Sequence, residues 1–547
     1  MELKEELQAI LRGGVEDSPD ILEEYSKDAS LFEVKPRLIV FPKDTKDVKA
    51  LVKFVREHKE ENLSLTCRSG GTDMTGGPLT QSIVVDMARY FNNIFEIKEN
   101  KAKVQPGVWY RDFEKEAEKQ NLLLPSYPAS KDICTLGGMV ANNSGGEKTL
   151  RYGKTEDYVM ELKVVLQDGE EYVIKPLLFQ ELQAKMQLGG FEGEFYQKLF
   201  ALVQENKSLL LQAKPKVSKN SSGYYLWNIW DEKTFDATKL FVGSQGTLGI
   251  ITEITFRLVV PKKHSTLLVL FLYNFAPLAK LTNTLLKHAP ESLESYDDHT
   301  LRFAMSHILD FVKLLKGNII TLAFQFIPEF LMFFKGGLKL PKLVILAEFT
   351  GDSEEEIYRK AEAAKKDLIG FKAQMRITKS DKEELKYMTV RRQSFNLLRH
   401  HVKGKRTAPF IDDIIVPPET LGEFLPKLQY ILSKYKKIVY TIVGHVGDGN
   451  FHIIPLMNLK REENRALIPS LMEQVHKLVF SYKGSMSAEH NDGIIRTPFL
   501  EDMFGKEVVE LFFKTKQIFD PQNIFNPGKK TGGDIDFALS HLSLKNK

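Results

Sequence analysis

The chain of 547 residues reads as an α+β protein of several domains, and three observations carry that reading. Residues 38–87 run strand, helix, strand, glycine-rich loop, strand. Residues 101–262 hold many short strand-like stretches, such as "KAKVQPG", "ELKVVLQDGEEYVI" and "GIITEITFRLVVP", separated by glycine turns and without the regular βαβ alternation of a dinucleotide sheet. Beyond residue 263, runs such as "TLLVLFLY" (266–273) and "KLVILAEFTG" (342–351) alternate with helical patterns, which predicts a substrate-side domain of helices packed on an antiparallel sheet.

Each element follows from its own pattern. An acidic, helical start leads into a strand, "RLIVFP" (38–43). The next segment, "DTKDVKALVKFVREHKEE", sets Val48, Leu51, Val52 and Val55 at helical spacing behind a polar cap, so it is an amphipathic helix. "NLSLTC" (62–67) and "QSIVVDM" (81–87) are strands on either side of the loop "RSGGTDMTGG" (68–77). Pro261, Lys262 and Lys263 mark a domain boundary. "SEEEIYRKAEAAKKDLI" (353–369) is a helix with i,i+4 charge pairs on an exposed face. "IPSLMEQVHKLVFSYK" is another, which Gly484 is expected to end. The last stretch, "KKTGGDIDFALSHLSLKNK", reads as loosely ordered. The divisions expected are 1–34, 35–262, 263–430, 431–530 and a tail at 531–547.

Composition removes several classes of function. The 76 basic and 72 acidic side chains nearly balance and form no long basic run, so nucleic acid is not expected as a partner. Two cysteines, Cys67 and Cys134, cannot build a disulfide framework, a cysteine zinc site or a cysteine-ligated iron–sulfur cluster. A reducing, cytoplasmic location is the default, and "MELKEELQAI" does not read as a secretory signal. The most apolar segment, "IITLAFQFIPEFLMFF" (319–334), is interrupted by Gln325, Pro328 and Glu329 and falls short of the roughly 20 residues needed to span a bilayer. Its flanking lysines leave peripheral contact with the inner face of a membrane as the alternative to ordinary packing.

"RSGGTDMTGG" is neither a P-loop nor a GxGxxG fingerprint, but Gly70, Gly71, Gly76 and Gly77 let backbone N–H groups turn inward while Ser69 and Thr72 add hydroxyls, a set suited to a pyrophosphate. Two further small-residue clusters follow, "TLGGMVANNSGGEKTLRYG" (135–153) and "GSQGTLGII" (243–251). Together the three segments resemble the FAD-binding domain of vanillyl-alcohol-oxidase-type flavoproteins, which hold FAD between two α+β subdomains. The resemblance makes 35–262 that domain. It implies that Arg68, Ser69, Gly70, Gly71, Thr72, Asp73, Gly76 and Gly77 hold the pyrophosphate. It further implies that Pro128, Ser130, Thr135, Gly138, Asn142, Ser144, Gly145, Tyr152 and Gly153 line the dinucleotide, with Gly246 and Ile251 near its rings. Many members tether the flavin through a histidine in the first loop. Here the loop offers Asp73 and Met74, so noncovalent FAD is expected.

In "GHVGDGNFHIIP" (444–455), His445 and His452 lie seven positions apart, which would put them on opposite faces of a continuous strand. With "GDG" as a hairpin turn they converge, either as turn histidines or as metal ligands. "GSMSAEHNDG" (484–493) adds Glu489 and His490, whose neighbouring side chains diverge, so that one can bind a metal while the other handles a proton. Two imidazoles and a carboxylate suit zinc, manganese or iron(II).

These motifs, with the terminal "FDPQNIFNPGK" (519–529), resemble the C-terminal half of FAD-linked D-2-hydroxyacid dehydrogenases, the D-lactate, glycolate and D-2-hydroxyglutarate dehydrogenases. The resemblance implies a C-terminal helical segment returning to the flavin, with His445, His452 and Glu489 as metal ligands and His490, neutral, as general base. It implies Arg391, or Arg392 in the alternative register, as the clamp on the substrate carboxylate, and Asn450 as a polar contact. The substrate implied is a small D-2-hydroxy acid, D-lactate-like. Ile411 stands where 2-hydroxyglutarate-type members carry a lysine, and Asn491 replaces the glycine of the usual "EHG". "APFIDDIIVPP" and "NFHIIPLMNL" look closest to members fused to an iron–sulfur domain, whose cysteines this chain lacks. Electrons are expected to pass to a separate acceptor: an iron–sulfur protein, a quinone or a cytochrome. The other readings are a flavoprotein subunit of an electron-transfer complex and a metal-independent flavin oxidase.

The purified chain is expected to be yellow and to release its flavin into the supernatant on acid precipitation. A colourless protein, or flavin that stays in the pellet, would contradict noncovalent FAD.

Overall fold

The structure, a computed structural model, describes residues 3–307, 340–401, 404–435 and 438–544. The apolar segment 319–334 lies outside the described residues. Among the described residues, no helix is long and apolar enough to cross a membrane.

Three sheets organise the chain. The first has four strands in the order Gly14–Glu16, Leu38–Phe41, Ile83–Asp86, Leu65–Arg68; its first pair is antiparallel and the rest are parallel. The helix Thr45–Glu57 leads from the second strand to Leu65–Arg68. The Asp44 carboxylate accepts the N–H groups of Lys46 and Asp47 at its start, and Val48, Leu51, Val52 and Val55 are buried as their spacing requires. The second sheet has five antiparallel strands, Ile94–Lys98, Lys101–Val104, Ile250–Arg257, Val159–Val165 and Glu171–Ile174. The helix Lys506–Phe519 returns from the far end of the chain and buries Leu511, Phe512 and Phe519 in the core of that sheet.

The third sheet has seven antiparallel strands in the order Ala373–Ile377, His264–Leu272, Leu343–Gly351, Ser292–Asp297, Ile442–His445, Asn450–Ile453, Ile414–Ile415. Its two long central strands, His264–Leu272 and Leu343–Gly351, carry apolar runs that point to both faces because both are covered. Leu343, Ile345 and Ala347 meet the helices Leu278–Leu286 and Glu354–Asp367 on one side, while Val344 and Leu346 meet Tyr387 and Met388 of the helix Asp381–His401 on the other. Glu354–Asp367 begins behind Ser353, whose hydroxyl accepts the Glu356 N–H. Strands from both sides of residue 430 therefore share one sheet.

The end of the chain departs from the loose order expected of it. Asp534 caps a helix, Ile535–Ser540, that buries Ala538, and Ser543 N–H donates to the Leu31 carbonyl at 2.9 Å. Arg406 secures it by donating to the Ser543 carbonyl at 2.8 Å. The missed signal is the apolar spacing of Ile535, Ala538, Leu539 and Leu542. The helix Leu467–Ser481 also stops short of Gly484, and the left-handed residue there is Lys483, with φ +56°. Gly484 is required for another reason: a Cβ there would lie 2.2 Å from the Ile415 carbonyl oxygen.

Within Leu467–Ser481, His476 is 2 % exposed, packed against Phe480 and Phe499, with neither ring nitrogen partnered among the described residues. Burial, aided by Arg496, pushes its pKa down to about 3. The unfolded chain takes up this proton near pH 6.5 but the folded one does not until about pH 3, so stability falls as pH drops through that window. His476→Phe is therefore expected to reduce the loss of stability between pH 7 and pH 4 by about 3 kcal/mol, measured by urea unfolding at both values. Parallel pH dependence in variant and parent would refute this.

Candidate active site

The hairpin carrying the two histidines pairs His445 with Asn450 and Val443 with His452. His445 and His452 are thus diagonal neighbours on one face, their ring centroids 5.2 Å apart at 87°. The turn is four residues, Val446–Gly449, closed by Asp448 N–H to the His445 carbonyl at 3.0 Å. Gly449 sits at φ +76°, and a Cβ there would meet the Val416 carbonyl at 1.9 Å, so only glycine permits this turn.

Glu489 and His490 reach the same place on the loop after Gly484. One buried carboxylate, Asp413, shapes that loop: its Oδ2 accepts from Glu489 N–H (2.8 Å), His490 N–H (2.7 Å) and Ser487 Oγ (2.8 Å). Its Oδ1 accepts from Asn450 Nδ2 at 3.1 Å, tying the loop to the hairpin. The preceding residue, Asp412, faces both other rings, with Oδ1 3.3 Å from His452 Nδ1 and Oδ2 2.7 Å from His490 Nδ1. Burial pushes the Asp412 carboxyl up, but His490 and His452 outweigh it and hold it well below the usual carboxylate range. His452 and His490 stack at 5.0 Å.

Glu294, on the strand Ser292–Asp297, plays the matching part on the other side. Its Oε1 lies 2.6 Å from His445 Nδ1 and its Oε2 lies 2.6 Å from Arg391 Nη2. That leaves His445 Nε2 facing Glu489 Oε1 at 3.4 Å. Of the two candidate arginines, Arg391 is the one that faces this cluster. Arg392 turns away and clamps Glu147 with Nε at 3.0 Å and Nη2 at 2.5 Å. Asn450 spends its Nδ2 on Asp413 and Ile414, while its buried Oδ1 has no partner among the described residues.

Charge explains the proton affinities. Burial disfavours a charged His445, but Glu294 and Glu489 raise it to about 9. Burial likewise works against a charged His490, and Asp413 and Asp412 raise it to about 9. The surrounding carboxylates thus favour a protonated His490 rather than the neutral ring expected from sequence. Glu489 lies well below the usual range: burial pushes it up, and Lys219, His445 and His452 more than reverse that.

The ligand atoms of Asp413, His452, Glu489 and His490 lie within 4.8 Å of one another, so the donor set fits a divalent cation. Asp413 is already saturated by its four donors. His445 stands outside this tight group, with its Nε2 3.4 Å from Glu489 Oε1 and its ring 5.2 Å from that of His452.

The three glycine clusters converge beside this group. Asn526, from "FNPGK", donates to the carbonyls of Gly77 (3.0 Å) and Gln245 (2.7 Å), joining the first cluster to the third. A Cβ on Gly138 would lie 3.1 Å from Ser69 Oγ, and one on Gly70 would lie 2.5 Å from the Ile133 carbonyl, so small residues let the loops touch. Among the described residues nothing accepts the N–H groups of Gly70, Gly71 or Thr72, the donor set a pyrophosphate needs. Asp73 instead braces the loop from within, accepting from Thr75 Oγ1 at 2.7 Å, and Arg68 lies over the Tyr25 ring. Thr135 caps the helix Leu136–Asn142. Pro128 and Ser130 form turns through their carbonyls, and the Ser144 carbonyl accepts from Thr155. Gly246 takes φ +68°, Gly153 takes φ +77°, and Ile251 is half-buried on its strand. Tyr152 directs its hydroxyl to Glu291 Oε2 at 3.3 Å, away from the loops. Asn142 Nδ2 donates to the Glu489 carbonyl at 3.1 Å, and a Cβ on Gly145 would lie 3.4 Å from Glu489 Oε1, so the cradle abuts the His/Glu cluster.

Sequence reasoning missed Glu294, Asp412, Asp413, Asp448 and Lys219. Two adjacent acids inside the apolar run "APFIDDIIVPP" are a legible anomaly, since unpaired carboxylates are seldom buried. Nothing in "VSKNSSGYY" sets Lys219 apart.

An FAD binding domain model matches residues 36–175, and a model of the C-terminal domain of FAD linked oxidases matches residues 261–530. A D-2-hydroxyglutarate dehydrogenase of Pseudomonas putida is 29% identical over 511 residues, covering 92% of this chain and 49% of that protein. The chain spans about half the length of this and the similar D-2-hydroxyglutarate dehydrogenases of Haemophilus influenzae and Escherichia coli. The glycolate oxidase subunit GlcD of Bacillus subtilis is 27% identical and a D-lactate dehydrogenase of Anaerostipes hadrus 28% identical; the first alignment covers 93% of this chain and 92% of the relative, the second 93% of each. Among solved structures, 4-ethylphenol oxidase from Gulosibacter chungangensis superposes with TM-score 0.66 at 16% identity, covering 98% of this chain and 97% of that one. p-Cresol methylhydroxylase gives TM-score 0.66 at 16% identity, covering 97% and 96%. The fold is that of vanillyl-alcohol-oxidase-type flavoproteins.

Asn491, at φ +70°, donates its Nδ2 to the carbonyls of Gly243 (2.9 Å) and Asn142 (3.2 Å), stapling the Glu489 loop to two glycine clusters. Asn491→Gly keeps the backbone angle and is expected to cost about 1–3 kcal/mol for three lost hydrogen bonds, the third being the one its Oδ1 accepts from Asp492 N–H at 2.8 Å. Asn491→Ala adds about 1 kcal/mol of left-handed strain, so stability to urea should rank Asn above Gly above Ala. Alanine equal to or above glycine would contradict the staple.

Proposed function

Because the chain belongs to the FAD-linked D-2-hydroxyacid dehydrogenase family, we propose that it oxidises a D-2-hydroxy acid, D-lactate-like, to the 2-oxo acid. The observation that carries this is the contact of the flavin cradle with the His/Glu cluster through Asn142 and Glu489. FAD would be held noncovalently by the three glycine clusters and accept the hydride, while a divalent cation on His445, His452 and Glu489 would act as Lewis acid and lower the proton affinity of the neighbouring rings.

The residues divide the remaining work. Asp412 holds His490 Nδ1, which leaves Nε2 to take the hydroxyl proton; His490 is, at 22 % side-chain exposure, the most open of the three rings. Arg391 would receive the substrate carboxylate in a two-pronged hydrogen bond, sharing its guanidinium with Glu294. Asn450 Oδ1 is free to accept from the substrate or a bound water. Ile411 is fully buried in the apolar core, so its position offers no cation to a distal carboxylate, which favours a monocarboxylate over 2-hydroxyglutarate. The division at 262 serves this reading by separating a flavin cradle from the substrate side, whose one sheet carries the ligand-bearing strands beyond 430.

A second reading has its own support. The relative named glycolate oxidase subunit GlcD aligns over nearly the whole of both chains, which favours a flavoprotein subunit that passes electrons to an iron–sulfur protein, quinone or cytochrome.

Anaerobic D-lactate is expected to bleach the flavin, and chelator to slow it. His490→Ala should slow bleaching by roughly 10²–10⁴-fold with FAD content unchanged. His445→Ala should lower both metal content and rate. Failure of every D-2-hydroxy acid tried to bleach the parent would sink the proposal.

A further inference from the structure

Lys219 is a buried ammonium, 2 % exposed, with its Nζ on Glu489 Oε1, the same oxygen that His445 Nε2 approaches at 3.4 Å. It comes from the loop after the helix Lys207–Ala213, within the flavin-binding half, and other buried lysines fasten its neighbours. Lys154 Nζ donates to the Asn220 and Ala488 carbonyls at 2.7 and 3.0 Å, and Lys530 Nζ to the Ser221 carbonyl at 2.8 Å. Lys154 and Lys530 thus act as fixed ties. Lys219 differs, because a second carboxylate stands in reach.

That carboxylate is Asp448, in the turn between the two histidines. Its Oδ1 accepts from Ser218 Oγ at 2.6 Å, while its buried Oδ2 lies 3.4 Å from Lys219 Nζ and has no hydrogen-bond partner among the described residues. Asp448 is 3 % exposed, and a buried carboxylate oxygen without a donor is costly unless a cation is close. The ammonium is a compact charge on a flexible stem, able to move between acceptors a few ångströms apart.

We propose that Lys219 is a displaceable internal cation: it neutralises Glu489 until a divalent metal arrives, then passes to Asp448 Oδ2. This rests on the reading of His445, His452 and Glu489 as metal ligands. The Gly-Asp-Gly turn then has two tasks, bringing the histidines together and holding the site to which the lysine retreats. The lysine keeps Glu489 paired in the metal-free protein, since a lone buried carboxylate is costly to desolvate.

The test is a double-mutant cycle read by isothermal titration of Zn²⁺ into the chelator-stripped, FAD-loaded full chain. Lys219→Met removes the competitor, so Zn²⁺ should bind about tenfold or more tightly, the scale expected when two cations contend for one buried carboxylate. Asp448→Asn removes the retreat, so Zn²⁺ should bind about tenfold more weakly in the parent but nearly unchanged in the Lys219→Met background. Equal weakening in both backgrounds means Asp448 acts as plain negative charge and overturns the proposal. Lys219→Met binding no more tightly than the parent also overturns it, while loss of Zn²⁺ in His445→Ala would leave the metal reading intact. If neither parent nor variants bind Zn²⁺, both fall. Should Lys219→Met lose FAD, Lys219→Gln takes its place in the same cycle, its amide still able to donate to either carboxylate.

Discussion

The candidate site depends on one carboxylate, that of Asp413. A loop carrying an acid and a base side by side has no reason to hold them at fixed angles, because irregular backbone lacks the ladder of a helix or strand. Asp413 supplies the missing ladder by accepting two consecutive N–H groups and a hydroxyl on one oxygen, and it fixes the hairpin through Asn450 on the other. It stands at φ +65°, a conformation that costs about 1–2 kcal/mol for most residues and is eased in aspartate by its short polar side chain. That strain turns Asp412 and Asp413 in different directions, one to the rings and one to the loop backbone.

Two carboxylates then set up pairs of working groups. Glu294 touches both His445 and Arg391, and Asp412 touches both His452 and His490. Each pair links a proposed metal ligand to a proposed substrate-handling group. Any movement of one is felt by the other through a bridge of about 3 Å, far stronger in a buried site than in water. The raised proton affinity of His445 and His490 is the electrostatic trace of the same arrangement.

Much of this was legible in the sequence, for a definite reason. Glycine clusters, a hairpin with a Gly-Asp-Gly turn and adjacent Glu489 and His490 are local patterns, and local patterns specify local geometry. The α+β class and the helix behind Asp44 follow in the same way. What stayed hidden is what long-range packing creates. Glu294 is an ordinary strand residue until the strand Ile442–His445 pairs beside it, and Lys219 an ordinary lysine until its loop meets Glu489. The terminal segment looked loose because glycines and a lysine pair precede it, whereas its anchor, Arg406, lies 137 residues away. Resemblance placed Arg391 ahead of Arg392, and only the facing of the long helix separates the two.

Asn526 closes the first glycine loop onto the third from 449 residues further along the chain. Gln245 already joins the two loops by donating to Asp73 Oδ2 at 3.3 Å, and Asn526 adds a second tie that can form only after the N-terminal sheet, since contacts this far apart in sequence are the slow ones in folding. The shape of the cradle is thereby made to depend on a segment 449 residues distant, so a change that loosens the turn around Asn526 is transmitted to the glycine loops at the other end of the sequence.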